Sequence, residues 1–154
     1  MDFQIDVQWP DGPFANVDVR QTFRNVVGGR LRRAMEKIAD HAAGQYGAYP
    51  RISGSFRVTQ ESGDELEYTI RNDDPIFPFL EADTSPHVIT AHDGLLAFPG
   101  PWEGGMVFVK SVNHPGTKGK YHLQEAWDEG EADLSEAVEG GLEAWLESWG
   151  TAGA

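Results

Sequence analysis

Apolar and polar positions alternate in two distinct periods along the chain. Phe3, Ile5, Val7 and Trp9 alternate with Gln4, Asp6 and Gln8, the period of a half-buried strand, and Pro10-Asp11-Gly12-Pro13 ends it. Between about Val17 and Gly44 the period changes. Phe23, Val27, Leu31, Ala34, Ile38 and Ala42 recur three or four residues apart, which predicts one long amphipathic helix with Asp18 near its start. Period-two runs then return at 54–60 and 65–72, joined through Glu61-Ser62-Gly63-Asp64 as a hairpin, and further short runs lie at 87–91, 95–98 and 106–112. The apolar Ile76-Phe77-Pro78-Phe79-Leu80 is interrupted by Pro78, so it is expected to be an edge strand or a docking loop. A helical segment begins near Tyr121 and carries the stripe Leu134, Val138, Leu142, Trp145 and Trp149, with Glu136, Glu139, Glu143 and Glu147 on the opposite arc.

These elements predict an α+β fold: a twisted, mainly antiparallel sheet with the long N-terminal helix and the C-terminal helix packed on one face. The 154 residues suit a single domain sharing one core, with no internal repeat or low-complexity linker. Gly28-Gly29 and Gly140-Gly141 fall inside the helical patterns, where each Gly costs about 1 kcal/mol relative to Ala. At Gly28-Gly29 the expectation is a kink or a close helix contact.

Charge narrows the partners. Asp and Glu number 25 against 12 Lys and Arg, a net charge of −13. Free binding to a DNA backbone is excluded as a main activity, because phosphate contact requires a basic surface. An acidic, lysine-poor surface spread over the whole chain is what a host with a salt-rich cytoplasm demands, since mobile ions screen its self-repulsion. Arg20, Arg24, Arg30, Arg32, Arg33 and Lys37 cluster on the first helix with no aromatic residue interleaved, so they are expected to pair with acidic segments of this chain or a neighbouring subunit. No run approaches the roughly 20 apolar residues of a membrane span, and Met1-Asp2-Phe3-Gln4-Ile5 has no export-signal character. With no Cys there is neither a disulfide nor a thiolate nucleophile.

Candidate chemistry is sparse. His87, His92, Asp93 and His114, with His122, are the residue types that hold zinc, and a small metal-dependent hydrolase built on the first four is the alternative function. Their spacing matches no H-E-x-x-H or H-x-H pattern, and His114 stands before Pro115-Gly116, where a turn-stabilising hydrogen bond suffices. No G-x-S-x-G or phosphate-cradling motif accompanies Ser53, Ser55, Thr84 or Ser85. The residues therefore assign no catalytic, cofactor-binding or metal site, and the chain is expected not to be an enzyme.

One order of residues is more specific. Thr84-Ser85-Pro86-His87 with Val88-Ile89 is followed by Gly94-Leu95-Leu96-Ala97-Phe98, by Gly104-Gly105-Met106-Val107-Phe108-Val109, by Val112-Asn113-His114-Pro115-Gly116-Thr117-Lys118, and by a helix after Leu123. Over roughly residues 54–148 this resembles the tail-completion, or head–tail joining, proteins of long-tailed double-stranded DNA viruses. Members usually carry Gly before the Thr of the T-x-P-H segment, where this chain has Asp83. The resemblance implies a structural protein of the virion neck, assembled in the host cytoplasm, that caps the tail tube and joins it to the head connector. It implies a homo-oligomeric ring, a hexamer, contacting a connector or stopper protein and the tail-tube protein, with DNA passing through unread and no membrane involved. Thr84, Pro86, His87, His114, Pro115, Gly116 and Thr117 are the structural candidates within the motif, and Phe77, Phe79, Trp145 and Trp149 are further interface candidates.

Overall fold

The computed structural model describes residues 1–5, 17–61 and 66–152. The elements in order are β1 (Asp2–Ile5), α1 (Val17–Gln45), α2 (Pro50–Ser53), β2 (Phe56–Gln60), β3 (Leu66–Asn72), α3 (Phe77–Glu81), β4 (His87–Thr90), β5 (Leu96–Pro99), β6 (Met106–Val109), β7 (Ser111–His114) and α4 (His122–Ala152). The α+β class expected from the two periods is the one observed. The remainder of the expected first strand, including Val7 and Trp9, and the loop of the 54–72 hairpin lie outside the described residues.

Among the described residues every strand pair is antiparallel, but the strands form three sheets and not one: β1-β3-β2, β4-β7 and β5-β6. The chain divides correspondingly into two compact units, residues 1–77 with 122–154, and residues 78–121.

The first unit holds all the buried apolar residues found among the described positions. The stripe of α1 is buried as its period requires, with Phe23, Val27, Leu31, Ala34, Ile38 and Ala42 all in the core. Tyr68 and Ile70 of β3, and Leu123, Ala126 and Leu134 of α4, join that core, so α1 packs against both the three-stranded sheet and α4. Fully buried Tyr46, directly after α1, stands edge-on to Phe77 and His122 at centroid distances of 5.8 and 4.9 Å. Buried Asp74 is satisfied by Arg51 at 3.2 Å and by the Ile76 N–H, which donates to its Oδ1 at 2.9 Å.

The glycines in the helices serve close approach. A Cβ on Gly28 would lie 2.9 Å from the Tyr68 hydroxyl and 3.0 Å from a Leu66 methyl, so the near contact expected there is made to a strand and not a helix. On α4 a Cβ at Gly141 would lie 3.1 Å from Val27 Cα, and one at Gly130 would overlap Ile38. That approach rotates the buried face of α4: Leu134 and Trp145 are buried, whereas Leu142 and Trp149 of the expected stripe are 37% and 39% exposed because Gly141 occupies the seam.

Two further expectations are corrected. Residues 77–81 form the short helix α3 instead of an edge strand or loop, because Pro78 is tolerated in a first turn whose amides have no intrahelical partner. The run 106–112 is two strands, β6 and β7, broken at Lys110.

Candidate functional site

Residues 78–121 form a β-arm. At its base β4 and β7 pair with His87 opposite His114 and Thr90 opposite Ser111, and the Ala91 N–H donates to the Lys110 carbonyl at 2.9 Å. Further out β5 and β6 pair with Leu96 opposite Val109 and Pro99 opposite Met106. Between the two ladders His92-Asp93-Gly94-Leu95 has no counterpart on the other strand, so the pairing register shifts at Lys110 and the expected single strand divides there. Gly94, at φ 81°, lies in this bulge. The tip spans 100–105, where the Gly100 N–H donates to the Gly105 carbonyl at 2.8 Å. The Trp102 ring folds over both glycines: it occupies the space a Cβ on Gly105 would need and would lie 3.2 Å from one on Gly100.

The base is a clasp between the two motif segments, Thr84-Ser85-Pro86-His87 and His114-Pro115-Gly116-Thr117. Read in opposite directions they are near-mirror images, and the β4–β7 register extended beyond His87 sets Pro86 against Pro115 and Thr84 against Thr117. The Thr84 N–H donates to the Thr117 carbonyl at 2.9 Å, the Thr117 N–H donates to Thr84 Oγ1 at 2.8 Å, and the two hydroxyls share a 2.8 Å bond. Gly116 makes this closure possible. Its φ is 86°, and a Cβ there would fall 2.2 Å from the Thr84 carbonyl oxygen. Asp83, at the position where the resembled family has Gly, accepts the Gly119 N–H at 2.7 Å. All seven motif candidates therefore converge, although they come from opposite ends of the arm.

The histidines in the clasp have distinct hydrogen-bonding states. Their rings are 5.1 Å apart and tilted by 35°. His87 Nδ1 faces the Ser85 carbonyl at 2.8 Å and so must donate, whereas His114 Nδ1 receives the Gly116 N–H at 3.1 Å and so must accept. Neutral His114 then carries its proton on Nε2, and lending that nitrogen to a metal requires breaking the turn. Of the alternative metal set, only this pair is brought together: His92 and Asp93 form an exposed neighbouring pair at 3.6 Å in the bulge, and His122 packs on Tyr46 in the first unit. Among the described residues no group of three or more metal-ligating side chains gathers.

Beside the clasp lies a depression of about 550 Å³ lined by Phe79, Leu80, Thr84, Ser85, His87, His114 and Thr117. Phe79, 60% exposed, stands at it, while Phe77 turns into the first unit's core against Tyr46 and Phe56. The two Phe candidates thus have different roles, as do the two Trp candidates. Trp145 is buried edge-on against Phe23 at 5.2 Å, and Trp149 leans on it, half exposed.

No residue of the arm is buried. Val88, Leu95, Trp102, Met106 and Phe108 are each 48–61% exposed. The arm is also almost neutral: Glu81, Asp83, Asp93 and Glu103 against Lys110, Lys118 and Lys120 leave −1 of the chain's −13. Sequence reasoning placed Val88, Leu95, Met106 and Phe108 in strands and Trp102 in the turn between them, and drew no site from them. The signal was present, because Leu96–Pro99 and Met106–Val109 contain no charged residue and do not alternate as a half-buried hairpin should.

The basic cluster sits elsewhere. Arg30, Arg33 and Lys37 of α1 face Asp133 and Glu136 of α4 across a groove of about 290 Å³, and Arg32 pairs with Glu36 at 2.9 Å. Against family models, curated proteins and solved structures, the chain matches nothing.

Proposed function

We propose that this chain is an assembly protein of the virion neck, which caps a tail tube and joins it to the head connector as a homo-oligomeric ring around the DNA path. The observation that carries the reading is the arm: a clasped two-stranded unit with no buried residue, exposed aromatic side chains and almost no net charge, in a chain whose other residues bear the remaining −12. A two-stranded ribbon is at best marginally stable in water, and apolar surface exposed on that scale is a surface to be covered by protein. The motif resembling tail-completion proteins falls on this same arm and its clasp.

The rest of the chain fits passage of DNA better than its retention. Arg30, Arg33 and Lys37 of α1 face Asp133 and Glu136 of α4, and the exposed arc of α4 presents Glu139, Glu143 and Glu147 with no Lys or Arg on that helix. A surface of that charge does not grip phosphates. The ring stoichiometry is six in this proposal, with the connector or stopper protein on one side and the tail-tube protein on the other. Immuno-electron microscopy on particles of the virus encoding the chain tests the reading: label at the head–tail junction supports it, and particles without the protein, or with label confined to capsid or tail tip, refute it.

A further inference from the structure

The outer part of the arm has two different apolar faces. Cross-strand pairing places Leu96, Phe98, Val107 and Val109 on one side, and the Trp102 ring lies on that same side because it covers the missing Cβ positions of Gly100 and Gly105. The other side carries Ala97, Pro99, Met106 and Phe108. The first face is half covered, with Leu96, Val107 and Val109 half-buried but Phe98 and Trp102 still 36% and 58% exposed, and the second is fully open, with Met106 and Phe108 48% and 60% exposed. A ribbon resting on a single surface would be apolar on one face and polar on the other. This one needs cover on both.

We infer that the two faces join successive copies of this chain head to tail, the Phe98–Trp102 face of one arm packing on the Met106–Phe108 face of the next. An isologous pair would use the same face twice and leave the other wet, whereas a heterologous contact uses both and repeats into a ring or a filament. Charge favours a second copy as occupant. Two bodies carrying most of a −13 charge repel, and residues 95–112 are a stretch where copies meet with only Glu103 and Lys110 to consider. A face of this size is small beside the roughly 800 Å² per partner of a standard stable complex, so closure into a ring, in which every copy makes two such contacts, is what makes the assembly persist. The inference names the self-contact on which the proposed ring rests.

The absence of cysteine makes a clean test possible. Val107→Cys marks the first face and Ala97→Cys the second, and both are small changes whose folding is checked by circular dichroism. The full chain in molar salt is treated with a short bis-maleimide, each variant alone and the two mixed with one carrying a tag. Head-to-tail stacking predicts that the mixed product exceeds either same-variant product by about tenfold, equivalent to about 1.4 kcal/mol of preference. It also predicts that the double variant cross-links into a ladder of higher oligomers. Same-variant products equal to the mixed one, no cross-linking at all, or cross-linking only after tail-tube protein is added would each overturn it. A wild-type protein that sediments as an oligomer while failing this pattern removes the stacking geometry and leaves the neck reading standing. Failure to label the head–tail junction removes the neck reading whatever the cysteines show.

Discussion

Gly116→Ala tests the clasp at a single atom. At φ 86° an added Cβ costs about 1–2 kcal/mol from the left-handed backbone alone. It would also lie 2.2 Å from the Thr84 carbonyl oxygen, a backbone atom that cannot rotate away, so the two segments must separate. Separation removes the bonds joining Thr84 and Thr117, worth on the order of 1 kcal/mol each. About 3 kcal/mol or more of local opening free energy is lost, which lowers amide protection by about a hundredfold. Native-state hydrogen exchange at the Thr84 and Thr117 amides is the assay, because global unfolding is dominated by the first unit, where the buried core lies. Gly94→Ala is the control: its φ is 81° but nothing lies within 4 Å of the added Cβ, so it carries the backbone cost only. Equal loss of clasp protection in the two variants, or none in either, would refute the steric account.

Four further outcomes follow from the first unit. Gly28→Ala should destabilise by about 1 kcal/mol or more by crowding Tyr68 and Leu66, while Gly29→Ala, with no neighbour nearer than Arg33 at 4.0 Å, should stabilise by up to about 1 kcal/mol, both read by urea titration. Trp145→Ala should cost about 3–5 kcal/mol and loosen the last turns of α4 even in molar salt. In the wild type the melting temperature should rise from low to molar salt, since Glu139, Glu143 and Glu147 repel by about 0.2–0.5 kcal/mol per pair until screened, and an unchanged temperature would remove the high-salt reading. Burial pushes the Tyr68 hydroxyl above its ordinary range, with Arg32 opposing, so the folded state favours the protonated form. That contribution is complete below the unfolded value of about 10 and is lost as pH rises through the folded one, so urea titrations on either side of that range should show a fall that Tyr68→Phe reduces.

What was legible in the sequence was what repeats. The stripe of α1 and the alternation of β2 and β3 are periodic because each element buries one face, and their boundaries follow to within a residue or two. The seam of α4 was misplaced by one position because a hydrophobic stripe is read from large side chains, whereas Gly141 earns its place by letting backbones approach. The register shift at Lys110 depends on four residues extruded from the opposite strand, which no alternation pattern encodes. In the clasp the residues were found as motifs. Their pairing across the arm was readable only in the mirrored order of T-S-P-H and H-P-G-T. Phe77 and Phe79 looked equivalent and separate because a helix, unlike a strand, sends residues two apart around its axis.

The most direct measurement is single-particle imaging of the wild-type protein in molar salt, mixed with tail tubes assembled from the tube protein. A closed ring seated on a tube end, with arm against arm at each subunit seam, is the predicted result. Monomers in solution and bare tube ends at saturating protein would contradict the account.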